Sequence, residues 1–387
     1  KVHYTAEFFC ANMTVEMDNT DKLKVLFEDA QNHFGLRFEL PDINRGEYRF
    51  EPVSDKVIRY GLGAVKGTGR QAIDAIVAAR EEGGAFTSLF DFCCRVDRTR
   101  INKRTVEALI KAGAFDNLQR NRAALVASLD LAFEFANTVQ ANANQGGLFD
   151  MDDSHGASTQ EPALVAATPW GVREQLMAEK AAIGFYLSGH LFDESAQEVR
   201  RFARRPLAEV SESREPQLLA GIVSDLRMII GQRGRVALFR LDDGSGAVDA
   251  SADEALFNAN RNTLRDDELV VVMAKVQHDR FSGGVRLSVN QVWDLAGARC
   301  RFGKYLRVAV NGRVPDVAAV LREFPPQREV SEQGELVRGL AIRMTLLREQ
   351  AQAELQLGDE ARFYPTDAAL ARWIAQADRG QAQVVYE

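Results

Sequence analysis

Gly61-Leu62-Gly63-Ala64-Val65-Lys66-Gly67-Thr68-Gly69-Arg70 is a glycine-dense stretch, and a helical pattern over 70–82 follows it at once. Glycine permits positive φ and lets backbone N–H groups converge on an anion, and a helix start adds its positive end. Between 56 and 70 the charged residues are Lys56, Arg59, Lys66 and Arg70, all basic. The stretch therefore predicts a phosphate-binding turn, with a purely structural turn as an equally weighted alternative.

A second basic cluster lies at residues 95–122, where eight basic residues stand against three acidic ones. The helix predicted over 102–112 ends in Lys111-Ala112-Gly113-Ala114-Phe115-Asp116, another helix–glycine–apolar turn. Two such turns favour tandem helix–hairpin–helix units that grip duplex phosphates without reading sequence, over a merely solvated basic face. The predicted DNA contacts are Gly61, Gly63, Lys66, Gly67, Thr68, Gly69, Arg70, Lys103, Arg104, Lys111 and Gly113.

Residues 139–168 lose nearly all periodicity and are rich in polar residues and glycine, which predicts an exposed linker. Gln145-Gly146-Gly147-Leu148-Phe149 lies within it. An exposed Leu-Phe pair in polar surroundings needs a partner to bury it, and Gln145 can add two-sided amide hydrogen bonds. This motif therefore predicts a docking peptide, against the alternative that Leu148 and Phe149 fold back onto this chain's own core.

After Pro216 the pattern alternates and is cut by glycines, which predicts about five strands and a small oligonucleotide-binding barrel. Its candidate single-strand contacts are stacking aromatics and basic residues. Phe239 could equally be core, and the acidic stretch 247–255 weakens this prediction. The candidates are Arg235, Phe239, Arg240, Phe281 and Arg286.

Composition limits the other classes of function. The net charge of −7 argues against a chain that coats nucleic acid everywhere, and the four cysteines lack metal-site spacing. No apolar run approaches the ~20 residues that span a bilayer. No arrangement of carboxylates suited to two catalytic metals is visible. The chain opens on Lys1, directly before a helical pattern over 3–34, so we expect a piece of something larger.

These segments together resemble the C-terminal region of the bacterial replicative DNA polymerase III alpha subunit. The resemblance rests on the two turns already quoted, on Gln145–Phe149, and on further stretches. These are Asn12-Met13-Thr14, Asn19-Thr20-Asp21-Lys22-Leu23, Gly184-Phe185-Tyr186-Leu187-Ser188-Gly189-His190, Leu241-Asp242-Asp243-Gly244-Ser245-Gly246 and Phe281-Ser282-Gly283-Gly284. It covers essentially the whole chain.

The resemblance implies a multidomain α+β fold: a helical tandem helix–hairpin–helix region, an OB-fold β-barrel and a small α/β C-terminal domain. It implies the end of a fingers domain at 1–50, a hairpin domain at 51–140, a linker with a clamp motif at 141–168, and a helical connector at 169–213. An OB-fold at 214–297 and a tau-binding domain at 298–387 complete it. The implied clamp contacts are Gln145, Gly146, Gly147, Leu148 and Phe149.

The implied activity is template-directed nucleotidyl transfer by the whole DNA-directed DNA polymerase, to which this chain contributes duplex grip and processivity. The chain would bind DNA, the beta sliding clamp and the tau subunit of the clamp loader within a cytoplasmic polymerase III holoenzyme, with no membrane contact. The implied catalytic aspartates and their Mg²⁺ belong to a palm domain outside this chain, so no cofactor, metal ligand or catalytic residue is assigned here. A free-standing clamp-associated DNA-binding adaptor and an error-prone polymerase paralogue are the alternatives.

Overall fold

The computed structural model describes residues 1–146, 160–231, 234–279, 283–311, 315–331, 334–348 and 351–386. The chain divides into two compact units, Lys1–Gly189 and His190–Glu387. The helices and sheets described below confirm the predicted multidomain α+β class. The predicted connector over 169–213 spans the division between the two units.

The first unit is mainly helical, and its helices begin where the sequence carries capping side chains. The Asn19, Ser88, Asn102 and Asn121 side chains each accept a backbone N–H three residues on, which satisfies an otherwise unpaired amide. The helix predicted over 3–34 is thus two helices, the second capped by Asn19. The helices are α1 (Thr5–Val15), α2 (Thr20–Phe34), α3 (Arg70–Gly83), α4 (Leu89–Arg95), α5 (Lys103–Lys111), α6 (Arg122–Ala127), α7 (Leu129–Gly146) and α8 (Val172–Ile183).

A small sheet leads into the glycine loop. It has three short strands, two of which form an antiparallel pair. The strands are β1 (Arg37–Glu39), β2 (Glu51–Ser54) and β3 (Val57–Arg59), in the order β1-β3-β2 with β1 parallel to β3. Buried Phe50 and Tyr60 pack edge to face, their centroids 4.7 Å apart, within the one apolar core of this unit.

The predicted linker is partly structured. Helix α7 continues to Gly146, so residues 141–146, which the sequence predicted to be linker, are helical. Extending an existing helix costs far less than starting one, and this stretch contains alanines. On the other side, Leu164 packs against the core, the Val165 N–H donates to Ser128 Oγ (2.8 Å), and Asn121 Nδ2 donates to the Ala167 carbonyl (2.9 Å).

The second unit contains a closed barrel with the strand order β4-β5-β6-β8-β7. A helix separates its third and fourth strands, and this five-stranded closure is the OB-fold topology. The acidic stretch 247–255 supplies its third strand, because Val248, Ala250 and Ala252 point inward. The elements are α9 (Asp193–Val199), β4 (Ser213–Gly231), β5 (Gly234–Asp242), β6 (Ala247–Asp253), α10 (Glu254–Ala259), β7 (Leu269–His278) and β8 (Val285–Trp293).

A four-stranded sheet in the order β13-β12-β9-β14 follows the barrel. Two helices cover one of its faces around buried Trp373 and Phe363. The elements are α11 (Leu295–Phe302), β9 (Tyr305–Val310), α12 (Val317–Glu323), β10 (Gln327–Ser331), β11 (Gly334–Arg338), β12 (Ala341–Arg348), β13 (Ala351–Gln356), α13 (Asp367–Gln376) and β14 (Ala382–Val385). The β10–β11 hairpin and β13 were not predicted.

Candidate nucleic-acid interface

The first glycine loop is open to solvent where it turns into α3. Gly67 has φ +80°, and a side chain at either Gly67 or Gly69 would meet no atom within 4 Å. Within the described residues, the N–H groups of Gly67, Gly69, Arg70 and Gln71 donate to no protein acceptor. These amides and the positive end of a 14-residue helix therefore face solvent together, an arrangement that suits an anion.

Two contacts bring the start of α5 to this loop. The Thr105 hydroxyl, on a residue only 4% exposed, lies 3.3 Å from the Gly67 carbonyl and from its own cap, Asn102 Oδ1. Arg100 Nη1 donates to Gln71 Oε1 at 2.9 Å. The basic residues ahead of and within α5 are thus held beside the α3 terminus, which sequence spacing does not reveal.

Basic residues lie in the loop itself and at the start of α5. Lys66 and Arg104 are exposed, with no side-chain acceptor among the described residues. The Arg70 guanidinium lies over the Tyr48 ring at 5.3 Å and 3.7 Å from Asp74, and Lys103 forms an ion pair with Asp130. Exposed pairs of this kind contribute little to stability, so these side chains can turn to a ligand at small cost.

Three of the predicted contacts in this loop have structural roles. A side chain on Gly61 would overlap the backbone of Tyr48 to Phe50, and one on Gly63 would overlap the Tyr48 ring. The Gly63 N–H donates to the Tyr48 carbonyl (3.0 Å). The Thr68 hydroxyl donates to the carbonyls of Leu62 and Val65 (2.9 and 2.6 Å). Because Gly61 is buried, the prediction of DNA contact is wrong for it; Gly63 and Thr68 are partly exposed, and DNA contact at them stays a prediction.

The second turn faces inward. Gly113 has φ +88°, its N–H donates to the Ile110 carbonyl, and a side chain there would overlap the Arg122 guanidinium. Its neighbours Ala112 and Ala114 are at most 1% exposed. Lys111 is half-buried and forms an ion pair with Glu107 at 2.6 Å. Because this turn is packed into the core, the prediction of a phosphate contact is wrong for Gly113, and only the first turn is open.

Arg122, one of the eight basic residues counted in 95–122, is buried. It is 2% exposed and donates to both Asp116 oxygens (2.8 and 2.6 Å) and to the Lys111 carbonyl (3.0 Å). It also lies 3.7 Å from the fully buried Glu179 of α8. This arginine joins the second turn to α8 and adds nothing to the basic surface.

The residues predicted to bind a single strand at the barrel fall into a buried one and several on the outer face. Phe239 is 3% exposed inside the barrel core, so the prediction of base stacking is wrong for it. Arg240 and Arg286 lie on the outer face, each in register with Asp249 between them. Exposed Arg235 is 4.0 Å from Glu254. Phe281 lies outside the described residues. The acidic strand thus places a carboxylate between two of the predicted cations.

The docking motif is only partly within the described structure. Gln145 and Gly146 end helix α7, and Gly147, Leu148 and Phe149 lie outside the described residues. In the described ranges there is no group of three His, Cys, Asp or Glu residues placed to hold a metal ion. The described helices include none that is both long and apolar enough to cross a membrane.

Thr105 provides a test of the loop geometry. We expect Thr105→Val, which keeps the side-chain shape, to lower the free energy of unfolding by about 1 kcal/mol, since a buried hydroxyl bond is lost. Duplex affinity should also fall several-fold because the Gly67 loop is no longer tied to α5. Urea unfolding and fluorescence anisotropy with a DNA duplex measure the two effects. Unchanged affinity in a destabilised variant would show that the Thr105–Gly67 contact does not serve binding. The control is Thr138→Val, at an exposed position of α7.

Comparison with known proteins agrees with this geometry. A helix-hairpin-helix motif family matches residues 35–125. DNA polymerase III subunit alpha from Neisseria meningitidis serogroup A is 44% identical over 312 residues, which are 80% of this chain and 27% of that protein. The same subunit from Pseudomonas aeruginosa is 38% identical over an alignment of 389 positions, which covers 95% of this chain and 32% of that protein.

Among solved structures, the second OB-fold domain of replication protein A from Methanococcus maripaludis is similar to a part of the chain. The match covers 24% of this chain and 93% of that domain, with 12% identity and a TM-score of 0.19. That similarity is too low to bear on function. The identities to the polymerase subunit, in contrast, extend over most of the chain. The predicted resemblance is therefore confirmed: this chain is related over most of its length to DNA polymerase III subunit alpha, and it spans about a third of the length of the relatives it matches.

Proposed function

We propose that this chain serves as the C-terminal part of a replicative DNA polymerase III alpha subunit, binding duplex DNA, the beta sliding clamp and the tau subunit for processive synthesis. The observation that carries the DNA-binding part is the open start of α3. There, free backbone amides and a helix terminus lie at one glycine loop that carries Lys66 and Arg70, and Thr105 ties this loop to the start of α5 next to Arg104.

The proposed contact is blind to base sequence. Backbone amides and a helix N-terminus bind phosphate oxygens, which carry no base information. Lys66 and Arg104 would neutralise neighbouring phosphates and release their counterions. A polymerase that moves along its template needs a grip of this kind, because one that recognised a sequence would hold it in place.

Processivity in this proposal comes from joining weak contacts. A docking peptide with micromolar affinity contributes about 8 kcal/mol. When Gln145–Phe149 is tethered beside a DNA-binding loop, each contact raises the local concentration of the other, so the apparent affinity rises without new contacts. Residues 298–387 would contact tau. The polymerising site and its Mg²⁺ are proposed to lie in another part of the cytoplasmic holoenzyme's alpha subunit, leaving none in this chain.

The DNA grip can be tested with Lys66→Ala/Arg104→Ala in the full chain. We expect duplex affinity to fall by about tenfold at moderate salt, equally for two unrelated sequences. The slope of log affinity against log salt should become shallower by about 2, since two phosphate contacts are lost. Fluorescence anisotropy across a salt series measures both quantities.

The matched control is Arg37→Ala/Lys56→Ala, which removes two cations near the C-terminal end of α2, where the Lys56 Nζ donates to the Phe34 carbonyl. It should bind duplex as the unchanged chain does. If both double variants lost affinity equally, the effect would come from net charge alone, and the α3 loop would not be the binding site.

A further inference from the structure

Among the described residues, no helix covers the second face of the C-terminal sheet, and this face forms a groove. Two adjoining cavities, of about 340 and 510 Å³, share Arg307 and Gln383 and together follow this face. Arg201 and Arg204, which follow α9, line the smaller cavity together with Tyr386. The groove is therefore formed by the sheet and by a segment from the start of the same unit.

Like charges stand side by side on the sheet at the groove: Arg307 lines it, and Arg343 lies on the neighbouring strand. Arg307 of β9 and Arg343 of β12 are direct partners in a parallel pair, where neighbouring strands are about 4.8 Å apart. Like charges in this position destabilise a sheet. The Tyr305 hydroxyl accepts from both guanidiniums (3.3 and 3.2 Å), and Arg343 stacks on the Tyr305 ring at 3.9 Å. Arg343 also forms an ion pair with Glu354 (3.5 Å) and donates to Gln356 Oε1 (3.2 Å), so among the described residues Arg307 is the guanidinium of this pair that has no carboxylate partner.

The groove also holds polar atoms without a protein partner. Within the described structure, Arg307 Nε and Thr345 Oγ1 are buried and form no hydrogen bond, and Thr345 is 8% exposed. Both residues line the larger cavity, where Glu354 is the one acidic lining residue. A buried polar atom without a partner costs about 1–3 kcal/mol, so a ligand that supplied an acceptor would remove that cost.

We propose that this groove binds the phosphates of a single nucleic-acid strand, as a contact additional to the α3 loop. The planar guanidinium fork matches phosphate oxygens two at a time, which favours phosphate at Arg201 and Arg307, the arginines that line the groove. A four-stranded sheet whose open face carries a ring and basic side chains is a known geometry for single strands, because bases stack while cations follow the backbone. This inference does not depend on the proposed DNA contact at the α3 loop.

The test is photo-crosslinking of the full chain to oligo(dT) of about 12 nucleotides that carries 5-iodouracil, with the crosslinked peptides mapped by mass spectrometry. We expect crosslinks at the peptides that contain Tyr305 or Tyr386. Arg201→Gln/Arg307→Gln should lower their yield about tenfold, since two charge-assisted contacts are lost. Duplex affinity through the α3 loop should stay unchanged, so this result is separate from the test of the proposed function.

The control is Arg322→Gln/Arg372→Gln, which removes two exposed arginines from α12 and α13, on the covered side of the sheet. It should leave the crosslink yield unchanged.

Absence of crosslinks at the peptides that contain Tyr305 or Tyr386, or equal yields in both double variants, would overturn the proposal. So would displacement of the oligonucleotide by oligo-glutamate at equal charge, which would indicate an acidic-peptide groove. Inorganic phosphate could protect Arg307 from modification by phenylglyoxal while no oligonucleotide crosslink forms. That result would restrict the groove to small anions and would also overturn the proposal. Since Arg201 is exposed, Arg201→Gln by itself gives a reading even if the Arg307 change disturbs folding.

Discussion

Replacing Arg122 with methionine is expected to lower the free energy of unfolding of the first unit by about 3–5 kcal/mol, as when a buried ion pair loses one partner. Arg122 is 2% exposed, and Glu179, 3.7 Å away, is fully buried. One Glu179 oxygen accepts the N–H groups of Leu187 and Ser188, whereas its second oxygen, Oε2, has no hydrogen bond among the described residues. Arg122 is the cation paired with this carboxylate, and removing it leaves the buried charge without that partner.

Hydrogen exchange in urea measures this loss in the intact chain, because it reports on peptides of α5, α6 and α8 separately from the second unit. Arg122→Met/Glu179→Gln should recover much of the stability, since glutamine keeps the acceptor for the Leu187 and Ser188 amides without the buried charge. Exposed Arg120→Met is the control and should change stability by less than about 0.5 kcal/mol. A loss below 1 kcal/mol for Arg122→Met would show that water reaches Glu179.

The second large effect concerns docking to the clamp. We expect Gln145→Ala/Leu148→Ala/Phe149→Ala to weaken binding to the cognate beta sliding clamp by at least about 100-fold. Apolar anchors buried in a pocket each contribute about 2 kcal/mol or more, and two of them account for this factor. Isothermal titration calorimetry with the purified clamp measures the affinity of the full chain.

The control for this triple variant is Asn142→Ala/Asn144→Ala/Ser154→Ala, which changes three polar residues around the motif and should bind as the unchanged chain does. Equal binding by both triple variants, or no binding by the unchanged chain, would contradict the docking proposal. Leu148 and Phe149 would then be assigned to this chain's own core, and the DNA grip at the α3 loop would stand alone.

Local patterns predicted the elements well. Helices start at Asn19, Ser88, Asn102 and Asn121 because these side chains cap the first turn, which needs only neighbouring residues. The barrel strands follow from alternation between glycine turns, and even the acidic third strand forms, since Val248, Ala250 and Ala252 suffice for its inner face.

Local patterns failed where burial depends on distant residues. Residues 95–122 read as one basic cluster, yet Arg122 is buried with Glu179 of α8, whereas Arg104 is exposed. Gly67 and Gly113 both have positive φ, but only Gly67 is open, because the second turn packs on Arg122 and Leu40. Nothing in the spacing distinguishes these residues.

The sequence by itself determined most helix starts, the barrel strands and the resemblance to the polymerase subunit, because capping, alternation and motif identity are properties of neighbouring residues. Only the tertiary structure decided which glycine turn can meet a phosphate, that Thr105 and Arg100 bring α5 to it, and that Arg307 and Arg343 share one open sheet face. Those outcomes depend on which side chains exclude water from one another, and residues far apart in the chain set that exclusion.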